Sequence, residues 1–347
     1  VVLALTDHFT DMINAVLMQP ESPTPQSFNP NAISGLAAAD PTTGMTLVAP
    51  PEARADGSAG ITYPFPLPKA RGRFQPQLAL TYNSQGGMGQ AGWGWSLTTS
   101  SIEVDTRYGA PEYAAPGSGR PGERYTWDGQ QLVPTETTLA CSNGENGRQF
   151  RLRREGRFAR IVRCGDGPTT YSWEVTEKDG TRFVYGRHSN ARLADVRPLG
   201  TNGGPNIARW MLEAVEDSDG NQTEFHYRRG TQAIGLESDL FPSPLAQFLE
   251  LASIRYGGNV RGLPPTYHVD LDYGTRAPKS DGGVFLEPHV FDNSVESALG
   301  FAVMRFERLE RVVISSQAAG STPVATYVLR YSVPQAESLF RSLLVGV

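Results

Sequence analysis

Between Tyr63 and Ile102 the chain strings together prolines, a period-two strand pattern and a run of glycines, which leaves little besides β structure open to it. Pro64, Pro66 and Pro68 alternate with Phe65 and Leu67. Proline fixes φ and brings no N–H, so this part reads as an extended edge segment or polyproline stretch. Arg71-Gly72-Arg73 is a turn, and Gln77 to Tyr82 alternates as a half-buried strand does. Asn83-Ser84 end that strand, and five glycines (Gly86, Gly87, Gly89, Gly92, Gly94) follow within nine residues. Trp93 and Trp95 lie two apart; on an extended chain both indoles, with Leu97, share one face.

The same stretch resembles the conserved core of SpvB-type domains, the N-terminal part of virulence plasmid B proteins and toxin-complex B subunits. The resemblance is carried by Phe65 to Arg73, Pro76 to Ser84 and Gly92 to Leu97, within which Pro66, Pro68, Arg71, Gly72, Pro76, Tyr82, Asn83, Ser84, Gly92, Gly94, Trp95 and Ser96 are the motif positions. Lys69-Ala70 stands where the family has Pro-Gly, and Met88 interrupts its Gly-Asn-Gly turn. The resemblance implies a structural role for these residues, and it extends from about residue 33 to the end.

At 347 residues the chain is long enough for a substantial core in one large β domain or two smaller ones. Its 37 glycines and 26 prolines favour many short strands over long helices. A net charge of −5 argues against nucleic acid as the main partner. The most basic run (Arg148, Arg151, Arg153, Arg154, Arg157, Arg160, Arg163) reads as the solvated face of a hairpin. No segment approaches the ~18 apolar residues of a membrane helix. The opening Val1 to Leu5 reads as the tail of an incomplete reading frame or of a signal peptide, and Phe340 to Val345 as a cut strand, so a fragment of a longer protein is expected. Cys141 and Cys164 bracket a hairpin pattern, Gln149–Arg153 and Phe158–Val162; a disulfide in an oxidising compartment and two free thiols in a cytosolic precursor both fit.

Along the chain, Phe9, Met12, Ile13, Val16 and Leu17 predict a short helix over 9–19, followed by a proline-rich arm. The division expected from this is 1–32 and a β domain, 33–347, with truncation expected at its C-terminal end. Thr46 to Val48 is a candidate strand. Asp-Gly pairs between alternating runs predict hairpins at Asp128-Gly129, Asp179-Gly180 and Asp219-Gly220. The last two place Phe and Tyr at the same offsets (Phe183 and Tyr185; Phe225 and Tyr227), a weak internal repeat that resembles the hairpins of Rhs/YD-repeat proteins. Later strands are expected over 246–257, 267–274 and 301–314, with Phe306, Leu309 and Val312 inward.

Motifs for chemistry fail on context. Gly87 to Gly92 matches GxGxxG, but a strand pattern follows where the dinucleotide fold needs a helix. Asp217 to Asn221 clusters oxygens, yet position 12 is Arg228 and the flanks are strands, so a type I′ turn is expected instead of calcium. His8, His188, His226, His268 and His289 show no zinc spacing, and His226 and His268 are placed on exposed strand faces. No Glu-x-Glu, the motif that ends the family's separate ADP-ribosyltransferase domain, occurs.

The expected fold is therefore mainly β: short antiparallel strands and hairpins in twisted sheets, shell- or sandwich-like. The resemblance implies a secreted, non-catalytic structural portion without cofactor. It would help build a β shell that encloses and delivers a C-terminal toxin, its partners being the rest of the parent toxin/Rhs polypeptide or toxin-complex subunits. The alternative is a receptor- or glycan-binding module using aromatic and glycine-rich loops. Trp93, Trp95, Trp127, Trp173 and Trp210 separate the two: buried in a wall, exposed on one surface in a binding module.

Overall fold

Short alternating strands punctuated by glycine turns bury their apolar faces only by pairing into sheets. A computed structural model of the chain describes residues 52–53, 57–113, 123–195, 205–233, 245–275, 294–305, 307–317, 321–332 and 342–347. The expected helix over 9–19, the proline-rich arm, the strand at 46–48 and Phe306 lie outside the described residues. Within them the chain is almost entirely β, with two single 3-10 turns, Thr106–Tyr108 and Ser189–Ala191.

β1 (Glu52–Ala53), β2 (Ala59–Phe65), β3 (Leu78–Asn83) and β6 (Trp95–Leu97) form one antiparallel sheet in that order. β4 (Met88–Gly89) and β5 (Gly92–Trp93) make a separate small hairpin between β3 and β6. The larger sheet starts with β7 (Ser101–Val104), β8 (Tyr125–Trp127), β9 (Gln130–Ala140), β10 (Asn146–Leu152), β11 (Arg160–Cys164), β12 (Ser172–Thr176) and β13 (Arg182–Tyr185), each paired antiparallel to the next. β14 (Arg192–Ala194) leads to β15 (Ile207–Glu216), which pairs with β13 along one edge and with β7 along the other. That double pairing closes an eight-stranded barrel.

The end of β15 also pairs with β16 (Asn221–Ala233), so the sheet runs out of the barrel. β17 (Leu245–Asn259) and β18 (Tyr267–Thr275) extend it, then the short β19 (Ser294–Glu296) and β20 (Val303–Arg305) attach beside β17. β21 (Glu307–Ser316) and β22 (Thr322–Val328) complete the series. β23 (Arg330–Tyr331) and β24 (Leu344–Gly346) pair with each other.

Each part has its own core. An eight-stranded barrel is just wide enough to be filled by side chains, and Ile102, Val104, Tyr125, Trp127, Phe150, Trp173 and Trp210 fill this one. The second core joins the small sheet, through Phe65, Leu78, Leu80 and Leu97, to the open sheet, through Leu251, Ile254, Val269, Leu309, Val312 and Ile314. Leu309 and Val312 are thus inward, as their spacing implies.

The hairpins are where the sequence expected them, but their turns differ from one another. Asp128-Gly129 is a two-residue turn with positive φ at both residues (46° and 78°), the primed geometry. At Asp179-Gly180 and Asp219-Gly220 only the glycine has positive φ. Both loops are longer: Gly180 N–H donates to Glu177 O and Glu177 N–H to Thr181 O, and Gly220 and Asp217 repeat the pair with Asp217 O and Asn221 O. These are type I turns ended by a left-handed glycine, not the type I′ turn expected over Asp217 to Asn221. The device recurs at Cys141–Glu145 and Asn259–Leu263, with Gly144 and Gly262 in the glycine position.

A second device ties strand to strand. Tyr227 donates its hydroxyl proton to Leu212 O at 2.7 Å and Tyr273 to Leu251 O at 2.8 Å; Tyr331 does the same to Leu309 O. Burial raises the phenol pKa of Tyr227 and Tyr273, so both hold that proton across the physiological range.

Candidate functional site

The motif of residues 63–102 forms the small sheet and the loops that fasten it. Pro66 is exposed and Pro68 half-buried, and Pro68 O accepts the Tyr256 hydroxyl at 3.0 Å. Arg71 is exposed, Pro76 buried, and Gly72 packs on the turn after β15, where a Cβ would come within 2.9 Å of Asn221. The Gln75 amide locks the Arg71–Arg73 turn by accepting from Ala70 N–H and donating to Ala70 O and Gly72 O.

Asn83 N–H donates to Gly94 O at 2.9 Å, and Ser84 exchanges bonds with Ala59. Tyr82 packs on Trp95 with ring centroids 5.2 Å apart, while Ser96 is exposed. The period-two argument for Trp93, Trp95 and Leu97 fails, because Gly94 (φ 78°) breaks the strand between β5 and β6. Both indoles are half-buried and only Leu97 is buried. The GxGxxG segment lies in the β4–β5 hairpin with no helix after it.

Gly92 (φ 92°) meets the C-terminal segment so closely that a Cβ would stand 2.4 Å from Ser342 O, and Trp93 N–H donates to that same oxygen at 2.9 Å. Gly92→Ala should therefore cost about 2–3 kcal/mol, combining left-handed backbone strain with the loss of this contact. Urea unfolding of the variant measures it, and a cost near zero would mean that the loop does not dock there.

Where small sheet, barrel and open sheet meet lies a cavity of about 490 Å³, walled by Phe74, Phe183, Phe225, Trp127, Leu212 and Leu251. Phe183 and Phe225 hold equivalent repeat positions, and Phe74 meets Phe183 edge-on at 5.7 Å. Ser100 on its rim donates to Asp128, whose carboxylate also accepts from Ser101 N–H, and lies 3.0 Å from the Tyr185 hydroxyl. Trp127 Nε1–H donates to Tyr185 at 2.8 Å. Burial, then the Asp128 charge, raises the Tyr185 pKa well out of the physiological range. No histidine among the described residues lines this cavity, and the Ser100 hydroxyl is taken up by Asp128 and Tyr185. The network fastens the β8–β9 turn to the start of β7.

Of the five tryptophans, Trp127, Trp173 and Trp210 are at most 3% exposed, inside the barrel. They are not available to a glycan, whereas Trp93 and Trp95 are half-buried beside the glycine loop. Tryptophan emission should accordingly be mostly blue-shifted and protected from acrylamide, with a quenchable minority; uniformly red-shifted emission from folded protein would contradict this core.

Asp217 has no room for calcium. Its carboxylate accepts from Arg73 N–H, Asp219 N–H, Asn221 N–H and the Asn221 side chain. No group of three or more His, Cys, Asp or Glu side chains among the described residues is arranged for a metal. His226 and His268, expected on exposed strand faces, are half-buried. Of the seven arginines between 148 and 163, six are exposed, and Arg163 is half-buried, its guanidinium 3.8 Å over the Tyr171 ring.

Cys141 and Cys164 are bonded to each other, with Cα atoms 6.2 Å apart. The bridge passes over Gly147, whose added Cβ would stand 2.8 Å from Cys141 Sγ, and pins the β9–β10 turn to β11. It closes a 23-residue separation. The loop-entropy relation then assigns it about 3 kcal/mol. Reduction, or Cys141→Ser with Cys164→Ser, should lower the unfolding midpoint accordingly; unchanged unfolding under reductant would remove the bridge from the account.

A family model described as Salmonella virulence plasmid 65kDa B protein, SpvB, matches residues 53–262. A mono(ADP-ribosyl)transferase SpvB from Salmonella choleraesuis is 29% identical over 187 residues, which is 50% of this chain and 30% of that relative. The chain thus spans about 30% of the length of the curated relatives it matches. Two solved structures share the fold. TcdB2-TccC3 superposes with a TM-score of 0.64 at 23% identity, over 86% of this chain and 15% of that one. The N-terminal domain of the effector SpvB from Salmonella typhimurium strain LT2 gives 0.60 at 21% identity, over 82% of this chain and 97% of that one.

Proposed function

The chain belongs to the SpvB family, and from that membership we propose that it is a wall segment: a secreted, non-catalytic part of a toxin-complex or Rhs-type protein that helps form a β shell around a toxic C-terminal segment and deliver it. The observation that carries this reading is the asymmetry of the large sheet. One end is closed into the barrel, and the other ends at β22, which pairs with no further strand among the described residues. An unpaired edge is a template for another strand. The fold shared with TcdB2-TccC3 supports the same reading.

The transferase name belongs to relatives of which this chain spans 30%, and no Glu-x-Glu occurs in it. The Cys141–Cys164 bridge fits an exported protein, since disulfides persist in oxidising compartments. Its partners, on this reading, are the rest of the parent polypeptide or partner toxin-complex subunits.

The edge supplies the test. Val324 and Val328 on β22 are 55% and 48% exposed. The chain alone should associate at high concentration in sedimentation velocity, and Val324→Lys with Val328→Lys should make it monomeric, because charges on an edge oppose pairing. A wild-type chain that stays monomeric throughout would count against the wall reading.

A further inference from the structure

Three turns of the barrel strands enclose a basic groove that the wall reading does not use. It has a volume of about 940 Å³ and runs between the 3-10 turn after β7, the β8–β9 turn and the β10–β11 turn. Arg107, Arg153, Arg154 and Arg157 line it with Glu155, the one carboxylate among its described lining residues, while Asp105 and Glu177 pair with Arg107 and Arg157 from beside it. Glu155 is itself engaged, accepting from the N–H groups of Gly156 and Phe158. A fifth arginine, Arg124, lies 4.1 Å over the ring of Tyr108.

This concentration of guanidinium groups stands in a protein whose net charge is −5. Two of them are held in place. Arg107 makes two parallel bonds to the buried Asp105 carboxylate, at 2.8 and 2.7 Å. Those bonds, led by the side-chain bond, hold the Asp105 pKa below its ordinary value. Arg157 bonds Glu177 at 2.5 Å and stacks 4.4 Å over Trp127. Arg153 bonds only the neutral Gln131 amide at 2.8 Å, and Arg154 has no ion pair among the described residues.

We propose that this groove binds a sulfated glycan chain. Guanidinium forks match the oxygens of sulfate groups in pairs. The amides of Gln130 and Gln131 supply neutral hydrogen bonds between the charges, and Tyr108, 61% exposed, offers a ring for a sugar face. A peptide fits the site less well. The groove is lined mainly by turns, and its only strand residues, Gln130 and Gln131, belong to β9, which is paired on both sides, so no free sheet edge is there among the described residues to receive a peptide strand. The proposal does not depend on the wall reading, and the edge β22 is not part of it.

The test is calorimetric titration of the whole chain with a heparin hexasaccharide in 0.15 M salt. The expected result is saturable binding that weakens as salt rises. Arg153→Glu with Arg154→Glu should weaken it at least about tenfold, a loss of about 1.4 kcal/mol, while Arg261→Glu, in the exposed β17–β18 turn, should not. Tyr108→Ala should weaken the hexasaccharide and leave a poly-glutamate peptide unaffected. Thermal unfolding of each variant reports its folding, and Arg154→Gln replaces the double reversal if that fails to fold. Three results would overturn the proposal: no binding by the wild type, unchanged binding after charge reversal, or poly-glutamate binding as tightly as the hexasaccharide with Tyr108→Ala altering neither.

Discussion

Trp173→Ala is expected to destabilise the chain by about 4 kcal/mol, the range for emptying a large aromatic site in a packed core. Trp173 is fully buried at the centre of the barrel. Its ring meets Tyr125 at 4.9 Å, Phe150 at 5.0 Å and Trp210 at 5.9 Å, each near edge-to-face, the preferred arrangement for aromatic pairs. These neighbours come from β8, β10 and β15, so one side chain joins strands from around the ring. They cannot collapse into the space without breaking barrel pairings, and the cavity persists. Trp173→Phe should cost under about 1.5 kcal/mol, because it keeps an aromatic ring. It also removes an indole N–H that has no acceptor among the described residues, and an unsatisfied buried donor is a cost, not a gain. Guanidinium unfolding of the two variants decides the matter. If alanine and phenylalanine cost the same small amount, the interior is not packed around this ring.

The features legible in the sequence are those encoded within a few residues. Asp-Gly between alternating runs marks the β8–β9, β12–β13 and β15–β16 turns, and apolar spacing puts Leu309 and Val312 inside. The offsets shared by Phe183-Tyr185 and Phe225-Tyr227 are local too, and they correspond to two walls of one cavity and two buried phenols. Turn type is misread at Asp217 to Asn221 because it depends on loop length. The available signal is glycine in the fourth of five positions, shared by Cys141–Glu145, Glu177–Thr181, Asp217–Asn221 and Asn259–Leu263. The shared face of Trp93 and Trp95 fails because the alternation rule assumes an unbroken strand, and a left-handed Gly94 is the residue that can break it. Barrel closure is not visible at all. It rests on Arg182 meeting Glu216 and Arg209 meeting Glu103, pairings between distant strands that no local pattern specifies. The basic groove is of the same kind. Arg107 and Arg153 are far apart in sequence, and the successive pairing of β7, β8, β9 and β10 brings their turns together.

Asp217→Ala is expected to cost a similar amount, about 4 kcal/mol, by a different route. The carboxylate is 4% exposed and serves three backbone N–H groups, those of Arg73, Asp219 and Asn221. Alanine leaves these donors without their acceptor, each at about 1–3 kcal/mol, with partial relief where water enters. One of them belongs to the family-motif turn, so the side chain fastens the small sheet to the end of β15. Charge matters as well as shape. Burial opposes the ionised form, but the bonds from the Asn221 side chain and from the Arg73, Asn221 and Asp219 N–H groups outweigh it, holding the Asp217 pKa below its ordinary value. The unfolded chain therefore takes up the proton first on acidification. The stabilisation is complete above the unfolded carboxyl value of about 3.9 and is lost as pH falls through the lower folded value. Asp217→Asn, which cannot ionise, should be less stable than wild type at neutral pH, and the gap should narrow as pH falls below about 4. Urea midpoints for both proteins between neutral and acid pH measure this. A gap that stays constant across that range would mean that the carboxylate acts through shape alone, and that its charge does not hold the motif turn to the barrel.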